Sequence, residues 1–488
     1  MDKIAWGYKL NKDASCTLIK LVGSAREVYI PSDMNGYKVS TIGKECFLNN
    51  WINLEIVHIS EGIEKIKKNA FGSCFKVKEI YIPASVTKIE CGAFHDCEGL
   101  ETIKVDPNNK VYDSRNDCNA IIETATGKLI LGCKNTNIPD GVTKIDDYAF
   151  NGCIELEKIV IPDSVTSIGR RAFEKCGKLK EVVGLSNVQT IGLAAFKTCS
   201  HLKAISIPRG IEEINSYTFI ECDKLYNVVI PDTVKRIGIS AFAKSGLRKI
   251  VIPDSVINIG PSAFYDCTNL TEVVLPKNLE AINDTMFYFC KKLSKVTLPE
   301  KLKLIRERPF SFCGLNSIDF PSNLETVGIE AFLGCKKLKT VNFNPELKKI
   351  ESSAFANCGL TQIKILSKTT HIHRLAFSNC KDLETVEFEN TDNFKSNGCG
   401  ASMFSNCSKL RTVIINGKVC RELAKQLCVL AIINNAESLL DKRYIEQLTQ
   451  PQLKELIEES RSKDEAYICN MLLSEYHKRF GGRPDLLI

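Results

Sequence analysis

Residues 156–179, LEKIVIPDSVTSIGRRAFEKCGKL, return with small changes about every 23 residues, and this period constrains the fold more than any other feature of the chain. The skeleton is L-x-x-I-x-I-P-x-x-V-x-x-I-G-x-x-A-F-x-x-C-x-x-L. Its phenylalanine sets the register: Phe71, Phe94, Phe150, Phe173, Phe196, Phe219, Phe242, Phe264, Phe287, Phe310, Phe332, Phe355, Phe377 and Phe404. A fixed period in this range builds stacked supersecondary units that cannot bury their apolar faces singly, so the expected fold is a solenoid. In one unit Ile159 and Ile161 share one face of a strand, Lys158 and Val160 the other. Pro162-Asp163-Ser164 then ends the strand, because proline cannot donate to a ladder and Asp and Ser bond local backbone. Val165, Ile168, Ala172, Phe173, Cys176 and Leu179 are expected to turn inward around the rest of the coil. One strand per coil and a continuous columnar core follow.

The IP-x-x-V-x-x-IG-x-x-AF-x-x-C-x-x-L skeleton resembles the BspA-type leucine-rich repeat, from about Leu54 to Leu410. The resemblance implies an α/β solenoid, a parallel β-strand-lined leucine-rich repeat array. Members of that family are adhesins or binding proteins, and the repeat implies no particular ligand.

Three regions are expected. Residues 1–50 read as an N-terminal cap, with Val28-Tyr29-Ile30-Pro31 and Val39-Ser40-Thr41-Ile42-Gly43 echoing the repeat imperfectly. Residues 51–416 form the array, with an insert at about 106–138 between Phe94 and Phe150. Within it, Ala120-Ile121-Ile122-Glu123 and Lys128-Leu129-Ile130-Leu131 predict a hairpin around Thr126-Gly127, and Cys118 and Cys133 could pair under oxidising conditions. Residues 389–400 read as a surface bulge. Residues 417–488 change period: Leu423, Leu427 and Leu430 are helically spaced, and Thr449-x-x-Gln452 and Ser462-x-x-Glu465 are capping boxes. A C-terminal helical cap, or a helical module for a partner, is expected there.

Two repeat positions carry further information. The slot after the second isoleucine holds Gly169, Gly192, Asn215, Gly238, Gly260, Asn283 and Gly328, which predicts a positive φ. Arg306 and Glu351 also occupy it, so the demand is not absolute. Three residues after the phenylalanine stands a cysteine column, from Cys74 and Cys97 through Cys153 to Cys407, with Ser245 in one slot. Parallel side chains at a ~4.8 Å strand separation do not suit disulfides. Small buried hydrophobes are the expected role.

The 65 basic and 58 acidic residues leave a net charge of +7, and no Lys/Arg run resembles a nucleic-acid arm, so no nucleic-acid partner is expected. No segment reads as a membrane span or secretory leader, and 22 cysteines fit a reducing compartment. The expected location is cytoplasmic, with the cell surface or secretion as the alternative. No P-loop, nucleophile elbow or H-E-x-x-H motif occurs, and no cofactor, metal or catalytic residue is assigned. His371-x-His373 alone has metal-like spacing, with no third ligand nearby in sequence.

The outward strand position is the candidate binding face: Tyr81, Lys104, Val160, Val183, Ser206, Val229, Val251, Val274, Thr297, Asp319, Asn342, Lys364 and Glu387. Its middle reads as five exposed valines in adjacent turns, and a contiguous apolar strip marks a partner site. The expected function is a monomeric, non-enzymatic protein-binding scaffold. The alternatives are a bacterial surface adhesin for host or matrix proteins, and an enzyme with a site assembled across turns.

Overall fold

The computed structural model describes residues 4–47, 53–369, 371–389, 401–419, 450–451, 476 and 478–479. Its coils stack in parallel as the period dictates. Each coil carries two strands rather than one: Lys158–Val160 on one side and Ser167–Ile168 on another. The first pairs in register with the next coil, Lys158 with Glu181 and Val160 with Val183, and the second does the same, Ile168 with Ile191. The second strand escapes an alternation reading because it is two residues long, too short for a period of two to show. Among the described coils no α-helix forms, only the short 3-10 turns Arg115–Asp117 and Ala401–Phe404, so the α component of the expected α/β solenoid is absent there. Tight turns replace it.

Those turns have a regular backbone. In each coil the residues two before and two after the phenylalanine have positive φ: Arg171 and Lys175 around Phe173, Tyr217 and Glu221 around Phe219. Every second amide then closes a local turn, as Cys176 N–H to Phe173 O (3.2 Å), while the amides between donate to the neighbouring coil, as Phe173 N–H to Ala195 O (2.8 Å). Left-handed conformations in non-glycine residues cost roughly 1–2 kcal/mol each. The inter-coil ladder that they make possible satisfies buried amides that would otherwise be orphaned.

Inward assignments hold throughout: Val165, Ile168, Ala172, Phe173, Cys176 and Leu179 are all buried. Phenylalanine rings stack face to face along the axis, Phe173 on Phe196 with centroids 5.2 Å apart, Phe242 on Phe264 at 5.5 Å. The insert interrupts the column. Ala120–Glu123 and Lys128–Gly132 form the expected antiparallel hairpin, and Lys128 and Leu129 pair in parallel with Lys144 and Ile145 of the next coil. Ile121 and Leu131 face the N-terminal core while Ala120, Ile122 and Leu129 face the C-terminal one. The hairpin thus joins two hydrophobic cores by alternation. Cys118 and Cys133 are both free thiols in it.

At the N-terminal end, Ala5–Leu10 and Cys16–Val22 pair antiparallel, and Cys16–Val22 joins the second sheet beside Tyr37–Ile42. Glu27–Tyr29 already pairs in parallel with Ile56–His58, so the imperfect echo of the repeat is a working coil. At the other end Thr412–Ile415 turns back through Asn416 and Gly417, both of positive φ, to pair antiparallel with Lys418–Val419. The sheet therefore runs two residues past the boundary expected at 417. The helical cap expected beyond it lies outside the described residues except at 450–451, 476 and 478–479, which do not support a cap. Of the surface bulge expected at 389–400, all but Glu389 lies outside the described residues.

The expected positive φ at the glycine slot is not found: Gly169, Gly192, Gly238, Gly260 and Gly328 have ordinary φ. Close approach explains the residue instead. A Cβ on Gly169 would sit 2.5 Å from the Asp147 backbone nitrogen, and one on Gly238 2.4 Å from that of Ser216. Where asparagine fills the slot, its side chain bridges to the previous coil, Asn215 Nδ2 donating to Ile191 O at 2.7 Å. Gly169→Ala is accordingly expected to lower stability by ~1–3 kcal/mol through overpacking. Gly177→Ala, whose added carbon meets only Ser200 Oγ at 3.9 Å, should stay within about 0.5 kcal/mol of wild type. Urea midpoints of the two variants decide the matter, and equal midpoints refute the close-approach account.

Candidate protein-binding face

Outward residues of the first sheet line up in register within each of its pieces. Tyr81 pairs with Lys104, Val160 with Val183, Ser206 with Val229, and Val251 with Val274 and then Thr297. Asp319 pairs with Asn342, and Lys364 with Glu387. Glu387 is half-buried and the rest are exposed, Val251 at 63% and Val229 at 54% being the most exposed valines of the column. The expected unbroken run of five valines needs correction. Ser206 stands between Val183 and Val229, leaving one pair and one group of three. The insert also separates Lys104 from Val160, since the first sheet ends at Thr102–Val105 and resumes at Lys158–Val160.

The sheet is cut into short pieces, and most cuts have one cause. No strand pairing joins Asn227–Val229 to Lys249–Val251, Lys295–Thr297 to Ser317–Asp319, or Thr340–Asn342 to Gln362–Ile365. Each gap spans a repeat that is one residue short, at Gly246, Gly314 and Gly359. Losing a residue draws the loop in until a Cβ on Gly246 would lie 2.1 Å from Asp223 O, and the following strand falls out of pairing. At the first gap the surface opens into a shallow depression of 370 Å³, lined by residues 227–230, Lys249–Val251 and Pro253. Val229 and Val251 both edge it. The shortened repeats are visible in the sequence, but nothing in the pattern shows that a one-residue deletion interrupts the ladder.

Charges flank the valines without disturbing them. Beside the column Lys158 pairs with Glu181 and Lys249 with Glu272, both at 2.9 Å, and Lys295 approaches Glu272 at 3.7 Å. The hydrogen bond from Lys249 holds the Glu272 carboxyl below its usual range. In the polar half Lys364 pairs with Glu387 at 2.9 Å, and Asn342 donates to Asp319. Towards the N-terminal end, Tyr81 donates to Asp106, which pushes the phenol up to about 12. His371 and His373 are exposed, with His373 Nε2 3.3 Å from Glu351. Among the described residues no group of three His, Cys, Asp or Glu is placed to hold a metal ion.

The cysteine column is buried, and its thiols do more than fill space. Most donate to the phenylalanine carbonyl of the preceding coil, as Cys176 to Phe150 O at 3.2 Å, Cys199 to Phe173 O at 3.1 Å and Cys335 to Phe310 O at 3.0 Å, whereas Cys153, next to the insert, donates to Gly132 O at 3.6 Å. Burial pushes thiols such as those of Cys74 and Cys335 up to about 12, while at Cys267 burial is outweighed by hydrogen bonds with Cys290 and Ser245, which hold the thiol down. A thiol that is neither ionised nor reachable is inert. In the native fold, an aromatic disulfide reagent is therefore expected to leave the column untouched and, among the described cysteines, to react first with half-buried Cys91. Full labelling should wait for denaturant. Fast labelling of Cys176 or Cys199 in the native state, read by peptide mass, would refute the burial.

A model of the BspA-type leucine-rich repeat region, in six copies, matches residues 25–125, 130–246, 235–315 and 303–424. The chain belongs to the BspA-type leucine-rich repeat family. The match starts before Leu54, consistent with the coil at Glu27–Tyr29. Among solved structures, this BspA-type chain is similar to a leucine-rich repeat protein from Bacteroides ovatus, at 25% identity over 85% of this chain and 99% of that one, TM-score 0.48. A leucine-rich cell surface protein from Faecalibacterium prausnitzii is 23% identical over 88% and 97%, TM-score 0.40. A leucine-rich repeat protein from Eubacterium ventriosum is 19% identical over 67% of this chain and 98% of that one, TM-score 0.41. None of the curated proteins matches the chain. The cytoplasmic expectation gains no support from these relatives. Among the described residues no helix is long and apolar enough to cross a membrane.

Proposed function

We propose that this BspA-type protein is a non-enzymatic scaffold that binds another protein on the open face of its first sheet, centred on Val229 and Val251. The observation that supports this reading is the coincidence, at one shortened repeat, of the column's two most exposed valines with a depression in the sheet. Val228 and Ile250 anchor the same strands from inside, so the outward pair is held on a rigid support. Binding then orders little backbone, and weak contacts along the column add without a large entropic cost. The scaffold acts as a monomer. Pull-down from extracts of the source cell tests it: wild-type bait should retain a partner that bait with Val229→Lys and Val251→Lys does not.

The adhesin alternative uses the same face with a host or matrix protein as partner. Buried, unionised thiols do not oppose it, because their chemistry is blocked in either compartment. Protease treatment of intact cells separates the two readings: digestion from outside supports the adhesin, and protection supports an intracellular partner.

A further inference from the structure

Gly246 opens a second depression, of 730 Å³, on the loop edge next to the sheet. Lys203, Lys224, Arg248 and Lys292 line it, with Asp223 as its one carboxylate. The cationic excess has a visible origin in the repeat. Residues just before and just after the conserved leucine lie along this edge, and in the coils of Leu156 and Leu179 they pair across one turn: Lys178 with Glu155 at 2.6 Å, Lys180 with Glu157 at 2.8 Å. From His201 to Lys292 those two slots hold no acid at all. Among the described residues Lys203, Lys224, Arg248 and Lys292 consequently form no ion pair, although lysines elsewhere on the surface mostly do. Burial and the neighbouring Glu221 push the Asp223 carboxyl up, and one carboxylate leaves the four cations in excess.

The arrangement is also ordered. Tyr226 lies between Lys203 and Arg248 in the slot after the leucine, and the Arg248 guanidinium sits 5.7 Å from the centre of its ring. A cation–π contact of that kind holds the guanidinium beside the ring, and its N–H groups can donate to an oxyanion. Lys203 and Arg248 stand two coils apart, ~10 Å at the strand spacing, which is the separation of ester groups on one substituted sugar or cyclitol ring rather than of the two oxygens of one carboxylate. We propose that this edge is a binding site for a small polyanion carrying several sulfate or phosphate esters. It adjoins the sheet-face depression through Lys249, which lines both. The site does not depend on the proposed protein partner.

Isothermal titration at physiological ionic strength, with sucrose octasulfate and inositol hexakisphosphate as probes, tests the assignment. Saturable one-to-one binding is expected, weakened at least tenfold by combined Lys224→Gln and Arg248→Gln. A control with Lys303→Gln and Lys348→Gln, whose lysines pair with Glu280 and Glu325, removes the same net charge and should stay within twofold of wild type. Binding of the sulfate probe alone identifies a sulfated saccharide site, of the phosphate probe alone a phosphate-ester site, and of both a general oxyanion site. Equal weakening in both variant pairs would reduce the effect to net charge, and no binding of either probe would overturn the proposal outright.

Discussion

Phe242→Ala is expected to cost about 3–5 kcal/mol, the range for truncating a buried aromatic residue. Its ring is fully buried and stacked on both sides, 5.4 Å from Phe219 and 5.5 Å from Phe264, nearly parallel to each. Removing it deletes the transfer energy of one ring and opens two stacking contacts that contribute ~0.5–1.5 kcal/mol apiece beyond area. The void cannot collapse easily, because the inter-coil amide ladder fixes the spacing on either side, Phe219 N–H to Ala241 O and Phe242 N–H to Ala263 O both at 2.8 Å. In a one-dimensional array each coil is supported only by its neighbours. A weak coil in the middle therefore splits the array into two cooperative units. Urea unfolding should show a lower midpoint and a reduced slope, and an unchanged curve would refute the inward assignment. Phe404, with one stacking partner in the column, Phe377 at 5.5 Å, should cost less when truncated.

The periodic sequence made the core legible because a repeat superposes many weak signals at one position. Phe, Cys, Leu and the three isoleucine positions recur inward and are buried where the skeleton places them, except at a few isoleucine positions, where residues such as Val182, Val296 and Phe343 are half-buried. What the repeat hid was backbone geometry. Glycine at position 169 resembles a positive-φ residue when read alone, yet the constraint comes from Asp147 in the preceding coil, 22 residues away in sequence and in contact in space. Conversely Arg171 and Lys175 adopt the left-handed conformation with no glycine to announce it, because the inter-coil ladder imposes it whatever the side chain. The candidate face was legible as a column but not as a surface with breaks. Alternation marks which side Val229 and Val251 occupy; the gap between their strands arises from the deletion at Gly246, which changes pairing rather than pattern.

That gap decides where the second large effect should fall. Replacing Val229 and Val251 together by lysine is expected to weaken partner binding at least a hundredfold. Fully burying a valine contributes about 1.5–3 kcal/mol, so two half-exposed valines covered by a partner supply about 2–3 kcal/mol, and two unpaired lysines in the same contact add a desolvation cost of the same sign. Each 1.4 kcal/mol is a factor of ten in affinity. Stability should move far less, because both side chains point to solvent and the strands are held by Val228 and Ile250 from inside. The informative comparison is Lys364→Glu, on the same column but in its polar half, beside Glu387. It changes charge by a similar amount, and if the partner is centred on the apolar group its affinity should fall by less than threefold. Equal losses from both changes would mean that the whole column is engaged and the depression is incidental. Retained affinity in the valine double variant, with its melting curve intact, would move the binding site off this face altogether.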